Sequence, residues 1–394
     1  MYTKGDSKSM IPVSCPPPPD NHQNKRIKIL YVNRNYHIGG AEVVVANLCR
    51  QIDKKRFDVS LCHFLKERGM IGDELHGEGF DTQGISPSRL PVLKYLTFLR
   101  LRKIVIERGI DILHSHSTYG LIDSALCKIS LPKLRLIHTF HFGNYPHLKK
   151  RYLALERFFC KVPDQLVAVG REQRKVILET LHLPPERILT VWNGVIGERG
   201  GADAEFLEKY RNGKKVIIGV IATLIEQKGL PDMLDVAYEL KKRGVDAIIL
   251  VVGEGHLRKV LESKACELAL GDYVQFLGWV NNADSRILPM FDILFQPSLW
   301  EAMSMVVLEA MAGGKPVVAT DVGENRHMVE HGINGFLVRP RDIASMADAL
   351  ETLSKNPEIL KRQGIESRKR FEEKFTSLAM VRKYEDLYEK MVSS

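Results

Sequence analysis

Two glutamates, Glu301 and Glu309, stand in the stretch of this chain with the most chemistry in it, Phe295 to Thr320. A short apolar run ends at Gln296, a loop carries Glu301, and a helix is predicted to start near Ser304, an N-cap residue type, and to stop at Gly313-Gly314. A strand follows at once, so the start of that helix lies at the carboxyl edge of a sheet. Its unsatisfied N–H groups and positive dipole end suit a diphosphate. Glu309 falls inside the helix among apolar neighbours. A carboxylate there needs partners, which ribose hydroxyls or a neighbouring arginine would supply. Lys228 also follows a strand end and precedes a predicted helix beginning near Leu230-Pro231.

These residues need a scaffold, and the chain supplies two of similar size. Predicted strands at Lys28–Asn33, Phe57–Phe64, Ile112–His114, Arg135–Thr139 and Gln165–Val169 alternate with helical stretches, among them Val43–Ile52 and Leu93–Arg108. A second series has strands at Lys215–Ile221, Ala247–Val252, Val274–Leu277, Ile293–Gln296 and Pro316–Ala319, then helical, polar-rich residues 343–354 and 357–390. Alternating strand and helix predicts a parallel sheet covered on both faces. The glycine-rich stretch Gly197–Gly201 reads as the linker. The expected class is α/β: two Rossmann-like domains with parallel sheets facing across a cleft, where ligands bind at the carboxyl edges of the strands. The expected boundaries are a disordered leader at 1–25, a first domain at 26–198, a second at 199–370, and a terminal helix at 371–394.

Composition excludes several classes. The 394 residues are 44% hydrophobic and 27% charged, ordinary for a globular protein. No stretch approaches the roughly 20 apolar residues of a membrane span. The polar start, Met1 to Asn24, with its proline run Pro16–Pro19, lacks the apolar centre of a signal peptide, which points to the cytoplasm. Cysteines 15, 49, 62, 127, 160 and 266 never fall at C-x-x-C spacing, so neither a zinc site nor a disulfide framework is expected. The net charge of +9 divides into +12 over residues 1–199 (31 Lys+Arg, 19 Asp+Glu) and −3 over the rest (26 and 29). A basic half fits an anionic membrane or acidic substrate, or is plain solvated surface. No zinc-finger or RNP-type motif supports nucleic acid. There is no D-x-D, so no metal and no cofactor is expected.

Residues 295–320 resemble the E-x7-E segment of the retaining glycosyltransferase family four, which has the GT-B fold. Further landmarks fall in that family's order: Gly39-Gly40-Ala41-Glu42, His114-Ser115-His116, His138-Thr139-Phe140-His141, Asn193-Gly194-Val195, Lys228-Gly229, Gly253-Glu254-Gly255, Phe276-Leu277-Gly278-Trp279 and Asn334 to Val338. The likeness covers about residues 26–375. It implies a sugar moved from a nucleotide diphosphate, UDP before GDP, to an acceptor hydroxyl with retention of configuration. Catalytic roles then fall on His141, Lys228 and Glu301. His141 would bond the transferring sugar, Lys228 would neutralise the leaving diphosphate, and Glu301 would bind donor-sugar hydroxyls. Gly39 and Gly40 would let backbone approach the donor. Ala302, Met303, Ser304 and Met305 would hold sugar and phosphates by backbone N–H, Glu309 the ribose, and Trp279 and Val280 the base. His114 would be structural and His116 acceptor-side.

Two departures stand out. Where the family often has Gly-Arg-Leu, this chain has Ala222-Thr223-Leu224, so Thr223 meets the donor without the usual arginine; either Lys228 and the helix N-terminus suffice or another cation such as Arg258 helps. Where Gly-Phe-Gly is common, Ala302-Met303-Ser304 follows Glu301. The basic amphipathic stretch Pro146–Val162 would suit an anionic membrane and a lipid-linked acceptor in polysaccharide or glycolipid assembly, with the protein peripheral on the inner face; it also reads as a helix with one buried face. Three other readings stay open: an epimerase of the same fold, a non-catalytic sugar-nucleotide-binding module, and a nicotinamide oxidoreductase. The last requires G-x-G-x-x-G, and Gly253-Glu254-Gly255 runs into Arg258 instead.

Overall fold

The computed structural model describes residues 26–85, 97–142, 150–197, 213 and 215–393. The leader, Cys15, most of the linker, the start of Leu93–Arg108 and part of Pro146–Val162 lie outside them.

The first sheet contains β1 (Ile27–Asn33), β2 (Phe57–His63), β3 (Asp81–Gly84), β4 (Ile112–Ser115), β5 (Arg135–Phe140), β6 (Gln165–Ala168) and β7 (Ile188–Thr190). Its order is β3-β2-β1-β4-β5-β6-β7 and its pairings are parallel. The second contains β8 (Val216–Ile221), β9 (Ala247–Val252), β10 (Val274–Gly278), β11 (Ile293–Gln296), β12 (Val317–Thr320) and β13 (Gly335–Val338), in the order β10-β9-β8-β11-β12-β13, again parallel. Each sheet reverses its strand order beside its first strand, and that is where a doubly wound sheet opens a crevice.

The strands are apolar runs rather than alternating ones because helices cover both faces. All six residues of β9 are buried. On one face of the first sheet lie Gly40–Gln51 and the last helix, Ser377–Ser393. That last helix buries Met380, Val381, Tyr384, Leu387, Tyr388 and Met391, a stripe at helical spacing, against Tyr31, Val44 and Phe57. The opposite face holds Leu101, Ile104 and Val105 against Leu30, Val32 and Leu113.

The structure departs from the sequence reading in three places. Strand β3, Asp-Thr-Gln-Gly, has no apolar residue to betray it and forms as an edge strand on β2. Strands β7 and β13, three and four residues long, form outside the expected strands, one at an edge of each sheet. The helical run 357–390 is two helices, Pro357–Lys374 and Ser377–Ser393. The first packs on Met305–Ala312, so residues 371–374 stay with the second sheet. The break has a tertiary cause. The chain returns to the first sheet beside its earlier exit, with Val195 N–H donating to Phe375 O at 3.2 Å and Ser377 N–H to Val195 O at 2.9 Å. Gly194 permits this approach, since a Cβ there would overlap the Thr376 carbonyl.

Four cysteines, 49, 62, 127 and 160, are buried and free, whereas Cys266 is exposed rather than in a core.

Candidate active site

A cleft of about 920 Å³ opens between the carboxyl edges of the two sheets. Apart from Arg258, the residues singled out for donor binding, acceptor contact or chemistry line it: Gly39, Gly40, His116, His141, Thr223, Lys228, Trp279, Val280, Glu301 to Met305, and Glu309.

The floor on the second side is the start of Met305–Ala312. Ser304 caps this helix, its Oγ accepting from Val307 N–H at 3.4 Å. The N–H groups of the first turn therefore point out of the helix with its positive dipole end. Glu309, four residues after Met305, lies one turn inward on the same face. From the first side comes the start of Gly40–Gln51, with Gly39 at its N-cap. Gly40 faces Met305 so closely that an added Cβ would stand 3.3 Å from the Met305 side chain. Two helix N-termini thus converge on one cavity, which favours an anionic ligand.

Lys228 ends a short 3-10 turn after β8 and reaches across to Glu301, Nζ to Oε1, at 2.6 Å. The same oxygen accepts from Ser298 Oγ at 2.8 Å and from Gln296 Nε2 at 3.4 Å. The carboxylate expected to meet sugar hydroxyls thus holds the lysine expected to meet phosphate. Its buried donors fix Glu301, so Lys228 is the partner that can turn to a ligand.

Arg258 is not the replacement cation. It is held by Glu254 at 2.9 Å, by Glu262 and by the Phe276 carbonyl, and it does not line the cleft. Glu262 lies one turn further along Arg258–Glu267, Glu254 stands four residues before Arg258 in the preceding loop, and together they capture it. The cleft does contain Arg34, which sequence reading passed over; its guanidinium lies over the Tyr119 ring at 5.5 Å. Its signal was its place directly after β1. Glu42 also faces the cleft, with Asn33 Nδ2 donating to it at 2.9 Å, and burial raises its carboxyl pKa.

On the first side the histidines form a stack. His116 Nδ1 and His141 Nε2 are 2.9 Å apart and the rings are stacked. His114 is fully buried under His116, ring centroids 4.1 Å apart. It lies beneath the cleft rather than in its lining. Burial lowers all four histidine pKa values, to about 3 for His138 and His141 and well below the ordinary value for His114 and His116. All four are neutral at physiological pH. His116 Nε2 is buried with no hydrogen-bond partner. A bare lone pair is tolerated there better than an orphaned N–H, so the shared proton sits on His116 Nδ1 and donates to His141 Nε2. His141 then carries its own proton on Nδ1: a neutral donor that would not repel positive charge developing on a sugar.

Trp279 is half exposed at the rim, its Nε1 donating to Asn281 at 2.7 Å. The basic helix Lys150–Phe159 packs Leu153 and Phe159 inward, while Leu155 and Phe158 are exposed beside Arg157. No helix among the described residues is long and apolar enough to cross a membrane, and among them no cluster of His, Cys, Asp and Glu could hold a metal ion.

Residues 38–199 match the family described as Glycosyltransferase Family 4, and residues 203–373 match Glycosyl transferases group 1. The chain belongs to glycosyltransferase family four. Among relatives, it is 25% identical over 390 residues to the UDP-Gal:alpha-D-GlcNAc-diphosphoundecaprenol alpha-1,3-galactosyltransferase of Escherichia coli, covering 94% of this chain and 98% of that one. It is 26% identical to the N-acetyl-alpha-D-glucosaminyl L-malate synthase of Bacillus anthracis, over 89% of this chain and 94% of that one. Anabaena HepE, solved with UDP and glucose, superposes with a TM-score of 0.82 at 17% identity, over 93% of this chain and all of that one. Its likeness shows the shared GT-B fold.

Proposed function

We propose that this glycosyltransferase moves a sugar from a nucleotide diphosphate, a UDP-sugar ahead of a GDP-sugar, to an acceptor hydroxyl with retention of configuration and without a metal. The observation that carries this reading is the convergence of Lys228, the Ser304-capped helix start and Glu309 on one side of a cleft whose other side presents His141 and Gly39-Gly40. Lys228 leaves Glu301 for the diphosphate, joined by first-turn N–H groups of Met305–Ala312. The freed side of Glu301 accepts from sugar hydroxyls, Glu309 accepts from the ribose, and Trp279 and Val280 flank the base. The sugar C1–O bond to the diphosphate breaks, positive charge develops on the sugar, and His141 Nδ1–H bonds a ring substituent without opposing that charge. The acceptor oxygen joins C1 on the same face, and its proton passes to the departing phosphate oxygen. The stabilisation comes from groups already in place, so little reorganisation is needed at the moment of reaction.

The acceptor in this reading is a carbohydrate or a lipid-linked sugar in polysaccharide or glycolipid assembly. The E. coli relative's diphosphoundecaprenol acceptor supports it, as do the exposed Leu155 and Phe158 beside basic residues, which suit a peripheral place on the cytoplasmic face of an anionic membrane.

Thermal stabilisation with UDP, GDP, ADP, their sugar conjugates, NAD and NADP, in the absence of divalent metal, tests the donor site, because a ligand of the native state alone raises the midpoint. A shift with one nucleotide diphosphate, lost in Lys228→Ala and Glu309→Ala, is expected. A shift with NAD or NADP and none with sugar nucleotides would overturn the reading.

A further inference from the structure

The last helix does more than cover the first sheet. Tyr384 and Tyr388 are fully buried, and both hydroxyls end on the layer beneath the cleft histidines. Tyr388 Oη lies 2.8 Å from His114 Nδ1 and 3.3 Å from Tyr31 Oη. His114 Nε2 lies 2.8 Å from Thr139 Oγ1, which in turn is 3.1 Å from Tyr384 Oη. Five groups, Tyr31, Tyr388, His114, Thr139 and Tyr384, thus form one continuous polar chain within an apolar core. Such a network is costly unless every member is satisfied, and an apolar filling would have been the simpler way to seat a helix.

Its position gives it a use. The His114 ring, gripped at both nitrogens, cannot turn, and it is the surface on which His116 rests. Among the described residues His116 meets His141 through a ring nitrogen, and that contact decides which nitrogen of His141 donates into the cleft. Resting on the transferase reading above, we propose that Tyr388 and Tyr384 are positioning residues for sugar transfer: they lock His114, His114 buttresses His116, and His116 fixes the tautomer and orientation of His141. A helix that follows the donor-binding half in sequence thereby tunes chemistry on the acceptor half.

The test compares wild type with Tyr384→Phe, Tyr388→Phe and the double variant, which keep the rings and lose only the hydroxyls. Glu385→Gln is the control. Glu385 sits on the same helix, where its carboxylate accepts from Asp53 N–H at 2.8 Å and pairs with Arg56 at 3.7 Å, so it anchors the helix through groups other than the histidines. Three readouts are taken at a temperature where all variants are folded: nucleotide affinity by calorimetry, kcat and KM for donor, and the His141 tautomer by long-range proton–nitrogen NMR on histidine-labelled protein. The expected result is unchanged nucleotide affinity and donor KM, kcat down about tenfold or more in the double variant, and a mixed His141 tautomer in place of a single Nδ1–H form. Glu385→Gln should lose thermal stability and keep its kcat. An unchanged kcat and tautomer in the double variant, or an equal kcat loss in Glu385→Gln, would overturn the proposal. Failure of wild type to bind any nucleotide diphosphate sinks the transferase reading instead, and the tautomer measurement, made on free protein, still decides whether the tyrosines hold His141.

Discussion

Lowering the pH from 7 to 5.5 at constant ionic strength acts mainly through buried histidines, since exposed carboxylates titrate lower. His114, His116, His138 and His141 have pKa values depressed by burial, so the unfolded chain binds protons there before the native one does. The sign follows from linkage: stability is full above the unfolded pKa of about 6.5 and falls as pH drops below it toward the folded values. While the native rings stay neutral, each histidine's loss is set by the unfolded pKa alone, at about 1.3 kcal/mol over this interval and about 5 kcal/mol for four. Asp123 opposes it. Burial raises this carboxyl to about 6, so the native state gains a proton over the same interval and recovers just under ~1 kcal/mol. Half-buried His63, lowered by burial, adds to the loss, and Glu42, raised by burial, offsets part of it. The net loss from the four histidines and Asp123, about 4 kcal/mol, is a large part of a typical domain's 5–15 kcal/mol. Urea unfolding followed at several pH values should show it. Because the four histidines belong to the first sheet's half, that half should unfold first, with tryptophan-independent probes such as exchange of β4 and β5 amides leading those of β9. A midpoint that is flat between pH 7 and 5.5, or loss of the second sheet first, would refute the view that these rings are buried and neutral.

Ser304→Ala removes the cap on Met305–Ala312 and should lower stability by about 1 kcal/mol in urea unfolding, with weaker nucleotide binding by calorimetry. Glu324, fully buried, accepts from Glu172 N–H at 2.6 Å and from Trp192 Nε1 at 3.0 Å, tying the second half to the start of Arg171–Leu181. Glu324→Ala should cost about 3 kcal/mol, measured the same way, and a loss under about 1 kcal/mol would mean the tie is dispensable. Asp123→Asn should gain on wild type as pH rises. The native carboxyl's raised pKa makes its contribution favourable at low pH and lost through about 6, so the thermal midpoints of variant and wild type should diverge upward from pH 5 to 8.

Much of the site could be read from local chemistry. Ser304 before an apolar run, glycines after it and a strand at once beyond it specify a capped helix start at a sheet edge, and that edge is where the cleft lies. Lys228 could be placed for the same reason, because a residue between strand end and helix start has few other places to go. The histidines at the ends of β4 and β5 could be placed too, but not their order in depth. His114 and His116 share a strand direction, yet one sits beneath the cleft and the other in its wall.

The amino-acid sequence by itself determined that there are two parallel sheets, where the strand ends bring reactive side chains, and which helix start would open at the sheet edge. Periodicity, caps and turn residues act over a few neighbours and are written in order along the chain. Only the tertiary structure decided that Lys228 rests on Glu301, that Arg258 is captured by Glu254 and Glu262 while Arg34 faces the cleft, that a long helical run breaks at Phe375-Thr376, and that Tyr384 and Tyr388 close a buried chain onto His114. Except for the capture of Arg258 by carboxylates four residues away on either side, each joins residues far apart in the sequence. Their energy comes from desolvation and from pairing of buried polar groups, which exists only once both surroundings have been assembled.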